Sequence, residues 1–126
     1  MRRRSRTGFE PARPALRRTV DALSADDCGR LFAVVATCGT TNAGVIDDLR
    51  AAADVAADLG TWFHVDGAYG GAALAAPSVR PRFAGVEAAD SFIVDPHKWL
   101  FAPYDCCALL YRAPTEAKTA PTQHAE

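Results

Sequence analysis

Long apolar runs are missing from this chain of 126 residues, and so are a strong charge of either sign and any Cys-x-x-Cys pair. No stretch approaches the roughly 20 residues that a membrane helix needs. The basic start, Met1 to Arg6, leads into TGFEPARPALRRT instead of an apolar signal core, which argues against export. With 14 basic and 15 acidic residues the net charge is −1. No overall field therefore recommends nucleic acid or a membrane surface as partner, and a small molecule is the default ligand. The four cysteines are Cys28, Cys38, Cys106 and Cys107. They read as reduced, mostly buried thiols, which favours the cytoplasm, and no ligand-pair spacing with His64 or His97 supports zinc, so no metal is expected.

What is present is one domain's worth of chain, 49% of it hydrophobic, enough to bury a core. Residues 1–13, with Arg2, Arg3, Arg4 and Arg6, are expected to be a disordered basic leader. Pro14 suits a first helical turn, and Leu16, Val20 and Leu23 recur at helical spacing. Asp26, Asp27 and Gly29 break that pattern before LFAVVAT, which reads as a strand buried on both faces. The segment CGTTNAG has the composition of a functional loop, and Asp47 or Asp48 can cap the helix after it. Leu49, Ala52, Ala53, Ala56 and Leu59 form one apolar stripe there, and Gly60 supplies the stop.

TWFHVD then runs as a strand into the glycine-rich GAYGG, completing a βαβ unit whose strands are expected to be parallel. SFIVD reads as a third strand and CALLYR as a fourth. Residues 96–105 leave no room for a crossover helix, so the fourth is expected antiparallel to the third. The fold class is therefore α/β, with a mostly parallel sheet of about four strands and flanking helices.

In open α/β sheets, ligands bind beyond the carboxyl ends of the parallel strands. Three unusual segments fall at such ends: Gly39 to Asn42, Asp66 to Gly71 and Asp95 to Trp99. Asp66 follows an apolar strand, where an ionised carboxylate is costly without a partner. Gly67, Gly70 and Gly71 permit close approach to its backbone. Lys98 sits beside Trp99 and Leu100, and partly dehydrated surroundings are expected to let its amine lose a proton and attack carbonyl groups. A strand-end carboxylate and a strand-end amine are what a pyridoxal phosphate site needs, one facing the ring nitrogen and the other holding the aldehyde.

The ordered motifs VVATCGTTNAGVID, HVDGAYGG and ADSFIVDPHKWLFAPYDCCALLYR resemble those of the group II pyridoxal-phosphate-dependent amino-acid decarboxylases, which include aromatic-amino-acid and glutamate decarboxylases. The likeness covers roughly Phe32 to Arg112, and the DPHKW context argues against other pyridoxal-phosphate classes such as aminotransferases. It implies a fold-type I large domain, here an internal fragment: residues 14–112 part of the cofactor-binding domain, and 113–126 a truncated tail or helix start.

By the same resemblance Lys98 forms the Schiff base, Asp66 pairs with the pyridinium nitrogen, Ala68 lies against the ring and Thr41 hydrogen-bonds near it. His97 either approaches the phosphate or fixes its loop. Asp95 stands where some relatives carry an asparagine that contacts the phosphate. His64 is expected on the opposite side of the strand from Asp66, in a structural role, and Trp99, Phe101 and Tyr104 are expected to pack.

The implied activity is decarboxylation of an L-amino acid to an amine and carbon dioxide, in a homodimer. The family's glycine-serine phosphate region and ring-stacking histidine are not in this chain. Two readings follow: the cofactor-lysine segment of a complete enzyme, or an inactive remnant with at most weak cofactor binding or an interaction role.

Overall fold

The structure, a computed structural model, describes residues 12–117. Helix α1 spans Ala12–Asp21, so it takes in the last two residues of the stretch expected to be a leader; the arginines before it lie outside the described residues. Arg13 and Arg17 reach across to Asp54 and Asp58 on helix α3 (Leu49–Leu59), and these exposed ion pairs of 3.3–3.6 Å lash the two helices together. Between them sits a short helix, α2 (Ala25–Gly29), where the sequence suggested only a break. Its signal is Ser24, whose hydroxyl accepts from the Asp27 amide and donates to the Asp27 carboxylate, a reciprocal cap.

The four strands are β1 (Ala33–Thr37), β2 (Trp62–Asp66), β3 (Ser91–Val94) and β4 (Ala108–Tyr111), in sheet order β1-β2-β3-β4. β1, β2 and β3 run parallel and β4 antiparallel to β3, as the connection lengths require. Helix α3 forms because Asp48 caps it, accepting from the Ala51 amide at 3.0 Å, and because Gly60 ends it in the left-handed conformation. Its buried stripe of Leu49, Ala52 and Ala56 meets Ala36, Phe63 and Val65 of the sheet to make the core. Asp47 is not a cap; its carboxylate accepts from the Thr37 amide at 2.8 Å.

Two expectations change here. β1 is not buried on both faces: Ala36 enters the core, but Val35 is 62% exposed, because β1 is an edge strand with α3 against one face. His64 and Asp66 share a face, since residues two apart on a strand point the same way; the alternating burial of Trp62–Asp66 puts Phe63 and Val65 on the core side instead. On that shared face the buried Ser91 hydroxyl accepts from the Trp62 indole at 2.8 Å and stands 2.7 Å from His64 Nδ1. The contact between Ser91 and Nδ1 holds the His64 ring in place.

Of the four free cysteines only Cys38 is buried, so the expectation of mostly buried thiols holds for that one alone. Helix α5 spans Pro114–Ala117. Among the described residues no helix is long and apolar enough to cross a membrane.

Candidate active site

The three carboxyl-end segments do converge, and main-chain hydrogen bonds join them in sequence. Cys38 donates to the Asp66 carbonyl at 2.8 Å, and Gly70 to the Gly39 carbonyl at 3.2 Å. Gly67 donates to the Ile93 carbonyl at 3.0 Å and Asp95 to the Ala68 carbonyl at 3.2 Å. Such close backbone approach explains the glycines. A Cβ on Gly70 would lie 2.6 Å from both the Cys38 carbonyl oxygen and Gly39 Cα, and one on Gly67 would meet the Phe92 ring at 2.6 Å. Alanine at either position forces a neighbour to move.

Asp66 ends β2, half-buried, and its Oδ1 accepts from the Ala68 amide at 3.0 Å. This turn makes Ala68 the link between the two expected active residues, because its amide holds Asp66 and its carbonyl holds the main chain of Asp95. Lys98 lies in a single helical turn, α4 (Pro96–Trp99), which starts at Asp95 because Pro96 suits the first helical position. Its Nζ is 2.7 Å from Asp95 Oδ2.

That contact reverses an expectation. The hydrogen bond that Lys98 donates to Asp95, aided by the charges of Asp95, Asp66 and Cys107, holds the Lys98 amine above the ordinary lysine range, and the desolvation that would lower it is outweighed. Asp95 is correspondingly held below the ordinary carboxylate range, first by Lys98 and then by the Cys107 thiol. Lys98 is thus a paired ammonium and not a predisposed free amine. Sequence reasoning missed this partner, although the i, i+3 spacing of Asp95 and Lys98 around a proline is a signal that could have found it. Cys107, whose thiol is pushed up chiefly by its hydrogen bond to Asp95, has no comparable signal in the sequence.

His97 and Thr41 fall differently. His97 Nδ1 is 2.6 Å from the Cys106 carbonyl, and its ring meets Tyr104 edge-on at 5.2 Å, so the histidine ties α4 to the segment before β4. A carbonyl only accepts, which places a proton on Nδ1. Thr41 is exposed; the hydrogen bonds of its loop are made by Thr40, whose hydroxyl accepts from Val45 at 3.1 Å. Trp99 packs edge-on against Tyr69 at 5.4 Å, but Phe101 and Tyr104 are 92% and 86% exposed, so the aromatic cluster is not a packed core here.

An open cavity of about 590 Å³ lies between Tyr69, Phe83, Trp99, Leu100 and the Gly39–Thr40 segment. None of Lys98, Asp66, Ala68, Thr41 and His97 lines it. Arg82 is the only charged side chain on its wall and no carboxylate or lysine reaches it, so the paired ionisable groups mark the candidate site instead.

Residues 12–125 match the pyridoxal-dependent decarboxylase conserved domain. The chain is 46% identical over 100 residues to tryptophan decarboxylase TDC1 of Camptotheca acuminata, covering 79% of this chain and 20% of that protein. Rhodiola rosea 4-hydroxyphenylacetaldehyde synthase superposes with a TM-score of 0.72 at 37% identity, covering 85% of this chain and 23% of the other. Oryza sativa TDC, solved with PLP and tryptamine, gives a TM-score of 0.66 at 42% identity over 83% of this chain and 21% of its own. The chain therefore spans about a fifth of the length of the relatives it matches.

Proposed function

Because the chain belongs to the pyridoxal-dependent decarboxylase family, we propose that it supplies the cofactor-lysine part of an enzyme that decarboxylates an L-amino acid to an amine and carbon dioxide. The observation that carries this reading is one amine and one carboxylate, Lys98 and Asp66, at the ends of adjacent parallel strands. The Ala68 backbone joins them by bonds to Asp66 Oδ1 and the Asp95 amide.

The residues fit pyridoxal phosphate. Lys98 is the only lysine among the described residues, its side chain is 34% exposed and so reachable, and the small Gly67 and Ala68 leave room beside Asp66. Bound there, pyridoxal phosphate supplies a conjugated ring that draws off the electron pair of the bond between Cα and the carboxylate. Asp66 would present its carboxylate to the ring nitrogen, where a negative charge would favour the protonated ring and strengthen that withdrawal. Lys98 would hold the cofactor covalently through Nζ. Ala68 would lie against the ring, where a larger side chain would clash. His97, held through Nδ1 by the Cys106 carbonyl, leaves Nε2 for the phosphate, and Thr41 would reach the ring from the GTT loop. The working protein is a homodimer.

The test is borohydride reduction of the protein incubated with pyridoxal phosphate, followed by peptide mapping. Wild type is expected to carry the reduced adduct on Lys98, and Lys98→Ala to lose it. An adduct that persists at the same level in Lys98→Ala, on Lys118 or elsewhere, sinks the assignment.

A further inference from the structure

Asp95 is the residue of this site whose role the resemblance leaves open, and its geometry is unusual. Its Oδ2 is 2.7 Å from Lys98 Nζ, its side chain is 13% exposed, and its Oδ1 is buried with no hydrogen-bond partner. The Cys107 thiol lies against the carboxylate without completing a bond to Oδ1. The main chain over-determines the pair: Lys98 N donates to the Asp95 carbonyl at 3.0 Å, and Asp95 N is tied to Ala68. A carboxylate so placed is expensive without its cation, and an ammonium so held cannot attack a carbonyl carbon.

We propose that Asp95 is a positioning residue for Lys98, a counter-ion that stores the amine as an ammonium aimed along the edge of the site and releases it only when the pair opens. The inference rests on the reading of Lys98 as the cofactor lysine. The groups that face Lys98 are Asp95 from its own turn, Asp66 from the end of β2 and Cys107 from the segment before β4. His97 acts in turn on Asp95. Asp66 and Asp95 both favour the ammonium, but only Asp95 is hydrogen-bonded to it, so Asp95 dominates. An asparagine at this position keeps the shape and removes the charge, and therefore leaves the amine easier to deprotonate.

The chemistry gives a direct readout. In its neutral form the Lys98 amine adds its electron pair to an aldehyde carbon, water leaves with the carbonyl oxygen and both amine protons, and borohydride reduces the resulting carbon–nitrogen double bond to a stable secondary amine. The rate of trapping on Lys98 thus follows the neutral fraction of the amine.

Trapping would be measured on the full chain across pH with two aldehydes, pyridoxal phosphate and pyridoxal, which lacks the phosphate. In Asp95→Asn the pH–rate midpoint is expected to move down and trapping at neutral pH to rise severalfold with both aldehydes, while Asp95→Glu keeps the midpoint near wild type. A midpoint unchanged in Asp95→Asn overturns the proposal. So does an effect seen with pyridoxal phosphate alone, which would make Asp95 a phosphate contact.

Carbon–proton NMR titration of the wild-type lysine side chains needs no variant, since Lys98 and Lys118 are the chain's only lysines. Lys98 is expected to titrate above ordinary lysine; a midpoint at or below that value refutes the counter-ion role even if the variants do not fold. Absence of any adduct on wild-type Lys98 instead removes the cofactor-lysine reading, and the same titration still decides the ion pair.

Discussion

The seam between Gly39 and Gly70 allows a graded test of how the site is held together. In the structure the two backbones touch: a Cβ on Gly70 would stand 2.6 Å from Gly39 Cα and from the Cys38 carbonyl oxygen, and a Cβ on Gly39 would stand 2.7 Å from Gly70 Cα. Both obstacles are main chain, so the clash cannot be relieved by a side-chain rotation. Gly70→Ala is expected to cost about 1–3 kcal/mol, the range for forced overpacking, and to break the Gly70–Gly39 hydrogen bond. Gly39→Ala meets the same wall and adds the strain of φ 104, roughly 1–3 kcal/mol more.

Two control positions separate packing from backbone strain. Gly44 has φ 61 with nothing near its missing Cβ, so Gly44→Ala is expected to cost about 1–2 kcal/mol from the left-handed conformation alone. Gly29 has open space and ends a helix, so Gly29→Ala is expected to gain about 0.5–1 kcal/mol. Urea unfolding followed by circular dichroism reads these differences; with a slope of about 1–3 kcal/mol per molar, a loss of about 2 kcal/mol moves the midpoint by about 1 M. The expected order, from most to least destabilised, is Gly39→Ala, then Gly70→Ala and Gly44→Ala, then Gly29→Ala. A Gly70→Ala protein within about 0.5 kcal/mol of wild type, the span of ordinary surface substitutions, would show that the seam is not a tight contact.

Burial pushes the Cys38 thiol up to about 11, with the Asp66 charge acting in the same direction. At neutral pH it stays protonated, so iodoacetamide is expected to label other cysteines and spare Cys38 until urea unfolds the chain; peptide mass mapping that finds native Cys38 labelled early refutes this. Glu87 is held below the ordinary glutamate range by its own amide and that of Gly85, which its Oε2 accepts at 2.8 Å, with Arg50 contributing. A depressed folded value means stability that is present above the unfolded value and lost as pH falls through the folded one. The deficit of Glu87→Gln in urea midpoint is thus expected to be constant at neutral pH and to vanish in acid; a deficit that persists in acid would mean that the charge contributes nothing.

Much of the site was legible in the sequence because its signals are local. The strand-forming composition of TWFHVD and SFIVD, the cap and stop around α3, and the short interval before CALLYR are properties of a few adjacent residues, and each element appears where it was expected. The misreading of β1 involves neighbours from elsewhere. Whether β1 is covered on both faces depends on what lies beside it, which its own apolar run does not encode. That Thr40 secures the GTT loop likewise needs the turn back to Val45 that brings its hydroxyl to an amide. The shared face of His64 and Asp66 needed only the two-residue period of a strand, and the buried Ser91 between Trp62 and His64 needed the register of β2 on β3.

The sequence by itself determined the residue types at the site and their order: an aspartate and a lysine at the carboxyl ends of apolar strands, with glycines where backbones must touch. The tertiary structure decided their protonation and partners. Lys98 reads as a candidate nucleophile from its neighbours in the chain, yet the fold presses it 2.7 Å from Asp95 within reach of Asp66 and Cys107. Composition records that such charges exist, whereas the energy between them depends on the distance and burial that folding alone sets.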